Sequence, residues 1–244
     1  MNHSESPILH LIKKSLRFGG FLLLTVEIVQ SDTESMLIIS YNEEASSYMR
    51  VPSAYQEVEY IQSTGTQWID TGYSPTVNTV IETDLNWQSQ TETWWVFFWV
   101  TGNDRSSDWI LARIYNGIST TLNLWFCNTT YSDCQISTTI NARHKLLLQK
   151  NWWTFDWTSF TIATNSTPYS SPIVLFWWNN GWSKGWRCWK VMIKSFKITE
   201  SWVEKRDFIP CYRKSDWVIW MWDRVNKVFY TNSWSGTFTK GSDV

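Results

Sequence analysis

Glycine is scarce in this chain, with 10 residues in 244, where an average composition of ~7% would supply about 17. Histidine is scarcer still. His3, His10 and His144 are the full set, too few and too scattered for a catalytic triad or a metal site. The four cysteines, Cys127, Cys134, Cys188 and Cys211, show neither a Cys-x-x-Cys nor a Cys/His spacing, which argues against zinc. No apolar run approaches the roughly 18 residues of a membrane-spanning helix, so no membrane insertion is expected. With a formal charge of -1, 18% charged residues and no local Lys/Arg cluster, the electrostatic footprint of a nucleic-acid binder is missing too. Nucleophile-elbow, phosphate-loop and dinucleotide fingerprints are absent, as are internal repeats and low-complexity tracts.

What is present is 43% hydrophobic residues and 20 tryptophans, in a chain dominated after residue 54 by Thr, Ser, Asn and aromatics. This is a composition of strands and polar turns rather than helices. Thr79–Leu85 alternates cleanly and should be half-buried. Trp94–Val100 is continuously apolar, as in a strand buried on both faces. Ile110–Tyr115, Thr121–Phe126, Lys145–Gln149, Ser159–Ala163, Ile173–Trp177 and Val218–Trp222 read as further strands. Val191–Thr199 reads as the most regularly alternating one. Asn179–Trp189 reads as a long loop. Short, closely spaced strands without a helical period predict a two-sheet sandwich.

Residues 1–53 form a separate region. Ile12–Arg17 and the apolar residues after them have a superficial likeness to a signal peptide. The apolar core is short, Glu27 interrupts it and no small-x-small cleavage site follows, so no signal is predicted. Phe21–Gln30 and Met36–Tyr41 are instead expected to form a hairpin, or else the region is a disordered arm. Asn42–Ser53 reads as a linker. The main domain is placed at 54–244. Cys127 and Cys134 flank a polar hexapeptide and could close a hairpin disulfide in an exported chain, the alternative being four free thiols.

Two stretches carry a resemblance. Ala54–Tyr73 reads AYQEVEYIQSTGTQWIDTGY, and Arg206–Gly241 reads RDFIPCYRKSDWVIWMWDRVNKVFYTNSWSGTFTKG. Together they resemble the opening and closing segments of a laminin-G-like jelly roll of the concanavalin A-like lectin/glucanase superfamily. The relatives occur in surface and phage-associated proteins of gut bacteria. The resemblance implies an all-β, antiparallel two-sheet β-sandwich whose first strand, near Tyr60, lies beside its last, near Phe238. It also implies a phage virion or bacterial cell-surface setting, and Cys211 as a packing cysteine. No fixed chemistry goes with the family.

Some members of the superfamily are glucanases, which makes the placing of the acids decisive. Retaining glycosidases need two carboxylates about 5 Å apart. Glu57/Glu59 and Glu82/Asp84 are the same-face pairs available, and neither extends to the three alternating acids of laminarinase-like strands. No catalytic residue is assigned, and a glycoside hydrolase is the least favoured reading. His144 is expected at a turn or strand edge. Binding is favoured over catalysis. The polar loops Thr101–Asp108 and Asn179–Trp186 hold Asp104, Asp108, Asn179 and Asn180, whose oxygens and amides suit sugar hydroxyls. No cofactor is required, although calcium, which prefers oxygen ligands, would suit such loops. The expected function is a non-enzymatic recognition or adhesion module for a glycan or other surface polymer. The alternative is a structural decoration domain whose partners are other virion or surface proteins.

The tryptophans stand apart. Trp99, Trp157, Trp217, Trp220 and Trp234 fall where the relatives carry glycine, as do Trp153, Trp182, Trp186, Trp189 and Trp202. Trp68 and Trp222 fall where an aromatic belongs. If the glycines of the relatives serve φ > 0 turns, each replacement costs roughly 1–2 kcal/mol, or about 5–10 kcal/mol over the first five. Miscoded glycine is the expectation, and none of these tryptophans is counted as a binding residue. For the N-terminal region, deleting residues 1–50 is expected to leave the melting temperature of the remainder within a few degrees. A large loss would show that these residues complete the main domain.

Overall fold

The computed structural model describes residues 10–18, 22–30, 35–42, 51–87, 94–100, 109–115, 121–128, 132–135, 141–164, 171–179, 184–188 and 191–244. Among these there is no helix, and every strand pairing is antiparallel. The chain divides into two units, Met1–Arg50 and Val51–Val244.

The first unit is a three-stranded meander of β1 (His10–Phe18), β2 (Leu22–Gln30) and β3 (Ser35–Asn42). β2 and β3 pair with Val26 opposite Ile39. β1 contains Ile12–Arg17, the residues with a superficial likeness to the front of a signal peptide. It pairs along all of β2, from His10 opposite Gln30 to Phe18 opposite Leu22.

The second unit starts with β4 (Tyr55–Glu57), β5 (Ile61–Gln62), β6 (Ile69–Asp70), β7 (Thr79–Trp87) and β8 (Trp94–Val100). It continues with β9 (Trp109–Tyr115), β10 (Thr121–Asn128), β11 (Ser132–Gln135), β12 (His144–Gln149), β13 (Trp152–Phe155) and β14 (Thr158–Thr161). Next come β15 (Val174–Leu175), β16 (Trp177–Asn179), β17 (Lys184–Cys188) and β18 (Val191–Glu200). β19 (Val203–Arg213), β20 (Ile219–Asp223), β21 (Val228–Tyr230) and β22 (Thr239–Lys240) complete it. The larger sheet runs β14-β13-β12-β7-β18-β19-β20-β21, with β5 also on β18, β22 on β5 and β4 on β19. A six-stranded sheet runs β11-β10-β9-β8-β15-β6, and β16 pairs with β17, which lies inside the segment Asn179–Trp189 expected to be a loop.

Both sheets supply one core. The larger sheet gives Ile81, Leu85, Leu146, Leu148, Phe196, Ile198 and Phe208, and the smaller gives Val96–Val100, Ile110, Leu122, Leu124 and Phe126. Phe98 of β8 meets Phe196 of β18 edge-on with centroids 5.4 Å apart, so the sheets face each other in a sandwich-like arrangement. The alternation that puts odd residues of β7 inward is the period-2 pleat read from the sequence. β18 departs from it. Val191 and Ile193 are buried, then Phe196 and Ile198, and the register against β7 slips between Ile193 and Ser195. One extra residue at this bulge moves the inward set from odd to even positions.

Pro210 lies inside β19, where a proline would normally remove a ladder bond. Here the strand changes neighbours. β18 pairs β19 up to Phe208 and β4 takes over at Cys211. The Pro210 carbonyl points to that side and accepts from Val58 N at 3.0 Å, so the missing N–H falls in the gap between the two partners. The expected meeting of chain ends is also present. Ile61 lies opposite Lys240, and Gly241 N donates to the Tyr60 carbonyl at 3.0 Å.

One of two alternatives is excluded, and one expectation needs correction. In the β10–β11 pair Cys134 lies opposite Leu122, which puts Cys127 five positions, or roughly 17 Å, along the strand. A disulfide needs its Cα atoms within about 7 Å, so that bridge cannot form. The second concerns the tryptophans. Only Trp157 (φ 72°) and Trp217 (φ 62°) of the five have a left-handed backbone, joined by Trp202 (φ 70°) from the second group. Trp99 and Trp220 lie within the strands β8 and β20, and Trp234 has no positive φ. Among the described residues the backbone cost therefore applies to three sites, about 3–6 kcal/mol in all.

Phe196→Ala would remove the edge-on contact between the sheets and leave a cavity. We expect a loss of roughly 3–5 kcal/mol in urea denaturation, a large share of the roughly 5–15 kcal/mol that holds a domain folded. A loss below about 1 kcal/mol would show that the two sheets do not share this core.

Candidate functional site

Strand alternation turns a second set of residues outward from the larger sheet. Val80 and Glu82 of β7, Leu147 and Gln149 of β12, and Thr199 of β18 share this face, with Leu147 opposite Glu82 and Val80 opposite Thr199. They line a groove of about 580 Å³. Asn78, Thr79, Lys150 and Ser201 add polar groups at its end. Trp152, at the start of β13, and Trp202, in the β18–β19 turn, stand on its two sides. The surface thus combines apolar Val80 and Leu147 with hydroxyl, amide, ammonium and carboxylate groups on a rigid sheet.

One end of the groove is braced by Glu200, the last residue of β18. Its carboxylate accepts from the Tyr73 hydroxyl and, at 2.7 Å, from Thr76 Oγ1. These hydrogen bonds, the one from Tyr73 foremost, hold the Glu200 carboxyl below its ordinary range. Burial, followed by the bond to Glu200, pushes the Tyr73 phenol up to about 12, so it stays a donor at any physiological pH. The Thr76 hydroxyl also accepts from Asn78 N at 3.1 Å, which ties the turn before β7 to the same brace.

The acids considered for catalysis are otherwise engaged or isolated. Asp84 is buried and accepts from Arg143 Nε through both oxygens, at 2.7 and 2.6 Å. Glu82 faces the groove with no second free carboxylate on its strand. Glu59 accepts from Ser242 N at 3.4 Å, at the seam where the chain ends meet. His144 is a strand residue, but buried rather than at an edge. It is sandwiched between Trp87 and Phe155, with centroids 4.4 and 4.9 Å away, and its Nδ1 lies 2.6 Å from Asp156 Oδ2. Cys211 is fully buried, and burial pushes its thiol up to about 12, which makes it the inert packing cysteine expected. Among the described residues no group of three His, Cys, Asp or Glu is placed to hold a metal.

Asp104, Asp108 and Asn180 lie outside the described residues. Asn179 ends β16 opposite Lys184, and its side chain is likewise outside what is described. The groove was not anticipated, because its members are single outward residues from three strands, each of which reads alone as ordinary solvent face.

The motifs in the closing stretch prove to be structural. Asp223 is fully buried and accepts from the backbone N–H of Asp207, Val225 and Asn226, at 3.2, 3.0 and 3.4 Å. It also accepts from the Asn226 amide at 2.7 Å, which fixes the β20–β21 turn. Arg206 spends its guanidinium on the carbonyls of Thr71 (2.9 Å), Lys205 (2.8 Å) and Gly72 (3.2 Å). No protein-family model matches the chain, and no curated protein matches it.

The Glu200 brace predicts a pH signature. Its folded pKa is depressed, so its contribution is present above the unfolded carboxylate value and fades as pH falls through the folded one. The melting temperature of Glu200→Gln should therefore lie below that of the parent at pH 7. That gap should close as the pH drops below about 4.3, the value of a free glutamate. A gap that does not change with pH would show the brace to be merely steric.

Proposed function

We propose that the second unit is a non-enzymatic recognition or adhesion module for a glycan or another surface polymer. The groove on the outer face of the larger sheet is the observation that carries this reading. Its volume of about 580 Å³ falls within the roughly 300–1,000 Å³ typical of ligand sites. Its mix of hydroxyl, amide and charged groups over an apolar strip suits a ligand with many hydroxyls and apolar ring faces. Glu82, Gln149 and Lys150 are the groups that would bond those hydroxyls.

The facing antiparallel sheets and the pairing of β5 with β22 are compatible with a laminin-G-like jelly roll. The residues at Ala54–Tyr73 and Arg206–Gly241 support that assignment, and with it a setting on a phage virion or a bacterial surface. A fold of this kind carries many functions, and it is the site that distinguishes them. The engagement of Asp84 by Arg143 leaves Glu82 without a neighbouring free acid on β7, which favours binding over glycoside hydrolysis.

A glycan array tests this. We expect reproducible sugar binding that weakens about three- to tenfold in Gln149→Ala and in Glu82→Gln, as one lost hydrogen bond implies. The melting temperature should be unchanged in both. Silence across the array together with stable oligomers would instead identify a structural decoration domain. Reducing ends released from a β-glucan, and lost on removing Glu57 or Glu59, would identify a hydrolase.

A further inference from the structure

Nine described residues other than glycine have a positive φ. Asn141, Asn151 and Asp156 are of the types that tolerate this region, because their short polar side chains bond locally. Phe176 is bulky, but it is fully buried in the core and its N–H donates to the Phe97 carbonyl at 3.0 Å, so packing offsets its strain. Lys227 closes the turn that Asp223 organises, its N–H bonding the Asp223 carbonyl at 2.8 Å. The remaining four include three tryptophans, the bulkiest side chain in proteins.

Two of these occupy the same kind of turn. Asp156 (φ 44°) and Trp157 (φ 72°) are the whole loop between β13 and β14, with Phe155 paired to Thr158. Ser201 (φ 48°) and Trp202 (φ 70°) are the whole loop between β18 and β19, with Glu200 paired to Val203. A two-residue hairpin with φ > 0 at both positions is a type I′ turn, whose sequence signature is Asn-Gly, Asp-Gly or Gly-Gly. The first positions, Asp and Ser, are ordinary turn residues, and the second is where glycine belongs. Trp217 (φ 62°) lies in the β19–β20 connection, its N–H donating to the Arg213 carbonyl at 2.8 Å. Burial does not compensate here, since the three are 82%, 97% and 65% exposed in that order.

Three glycines, Gly65, Gly72 and Gly236, also have a positive φ, so tryptophan supplies as many such sites as glycine among the described residues. That matches a chain with 20 Trp and 10 Gly. We propose that residues 157, 202 and 217 are glycine in the native protein. Their codons would be UGA, read as glycine by the organism and as tryptophan in this sequence. The assignment is made for these three only. Buried indole N–H groups without a partner occur at Trp153 and Trp220 but also at Trp222, so that feature does not separate one group from another. With glycine at 202 the groove loses its wall on the β19 side, while Glu82, Gln149 and Lys150 are untouched, so this inference stands or falls apart from the binding reading.

The coding DNA and a melting curve test it. UGA is expected at 157, 202 and 217, with UGG at Trp68 and Trp222. UGG at the three positions would overturn the proposal. Independently, the full chain carrying Trp157→Gly, Trp202→Gly and Trp217→Gly should melt higher than the chain with tryptophan, by roughly 5 °C or more. An equal or lower melting temperature would show that the turns accept tryptophan and would overturn the physical basis of the assignment.

Discussion

The ladder between β7 and β18 is the constraint on which the second unit depends. β7 takes the whole of one edge of β18, from Val191 opposite Trp87 to Glu200 opposite Thr79. The other edge is shared between β5 near Met192 and β19 from Phe196 onward. Register here decides which residues reach the core, because a slip of one position would send Phe196 and Ile198 to solvent. The bulge between Ile193 and Ser195 lets one strand serve both halves. Val191 and Ile193 face inward before it, and Phe196 and Ile198 after it.

The same period that fills the core also writes the outer face. Each inward residue of β7 or β12 is followed by an outward one, so the groove between Trp152 and Trp202 is the reverse side of the core pattern. Rigid backing of this kind keeps polar groups in fixed positions and limits what binding costs in lost freedom. It also ties the groove to the turns at its ends. Ser201 and Trp202 belong at once to the groove lining and to a two-residue loop with a demanding backbone.

Much of the strand pattern was legible in the sequence. Trp94–Val100 coincides with β8, because long apolar runs have few alternatives. The pairing near Tyr60 was what the resemblance implied. The bulge in β18 was not readable, since Val191–Thr199 looks like plain alternation until a partner fixes its register. The gap that accommodates Pro210 depends on two strands from opposite ends of the unit, which no local pattern encodes. The Cys127–Cys134 spacing suggested a bridge only because sequence distance hides strand offset. The groove was missed for a related reason, as its members come from β7, β12 and β18 and share no motif.

The seam between β5 and β22 has a consequence for the order of folding. Thr239 lies opposite Gln62, 177 residues earlier in the chain, so the ladder on the far side of β5 cannot be built until nearly all of this unit has been synthesised. A contact that encloses so long a loop gains nothing early, because chain entropy is spent before any bond is made. Hairpins such as β12–β13–β14 and β19–β20–β21 can form as they emerge, whereas Val58, Ile61 and Phe238 must wait, with their apolar surface uncovered. During synthesis the molecule therefore passes through a stage with one open flank, and the last short strand works as a latch on a sheet already in place.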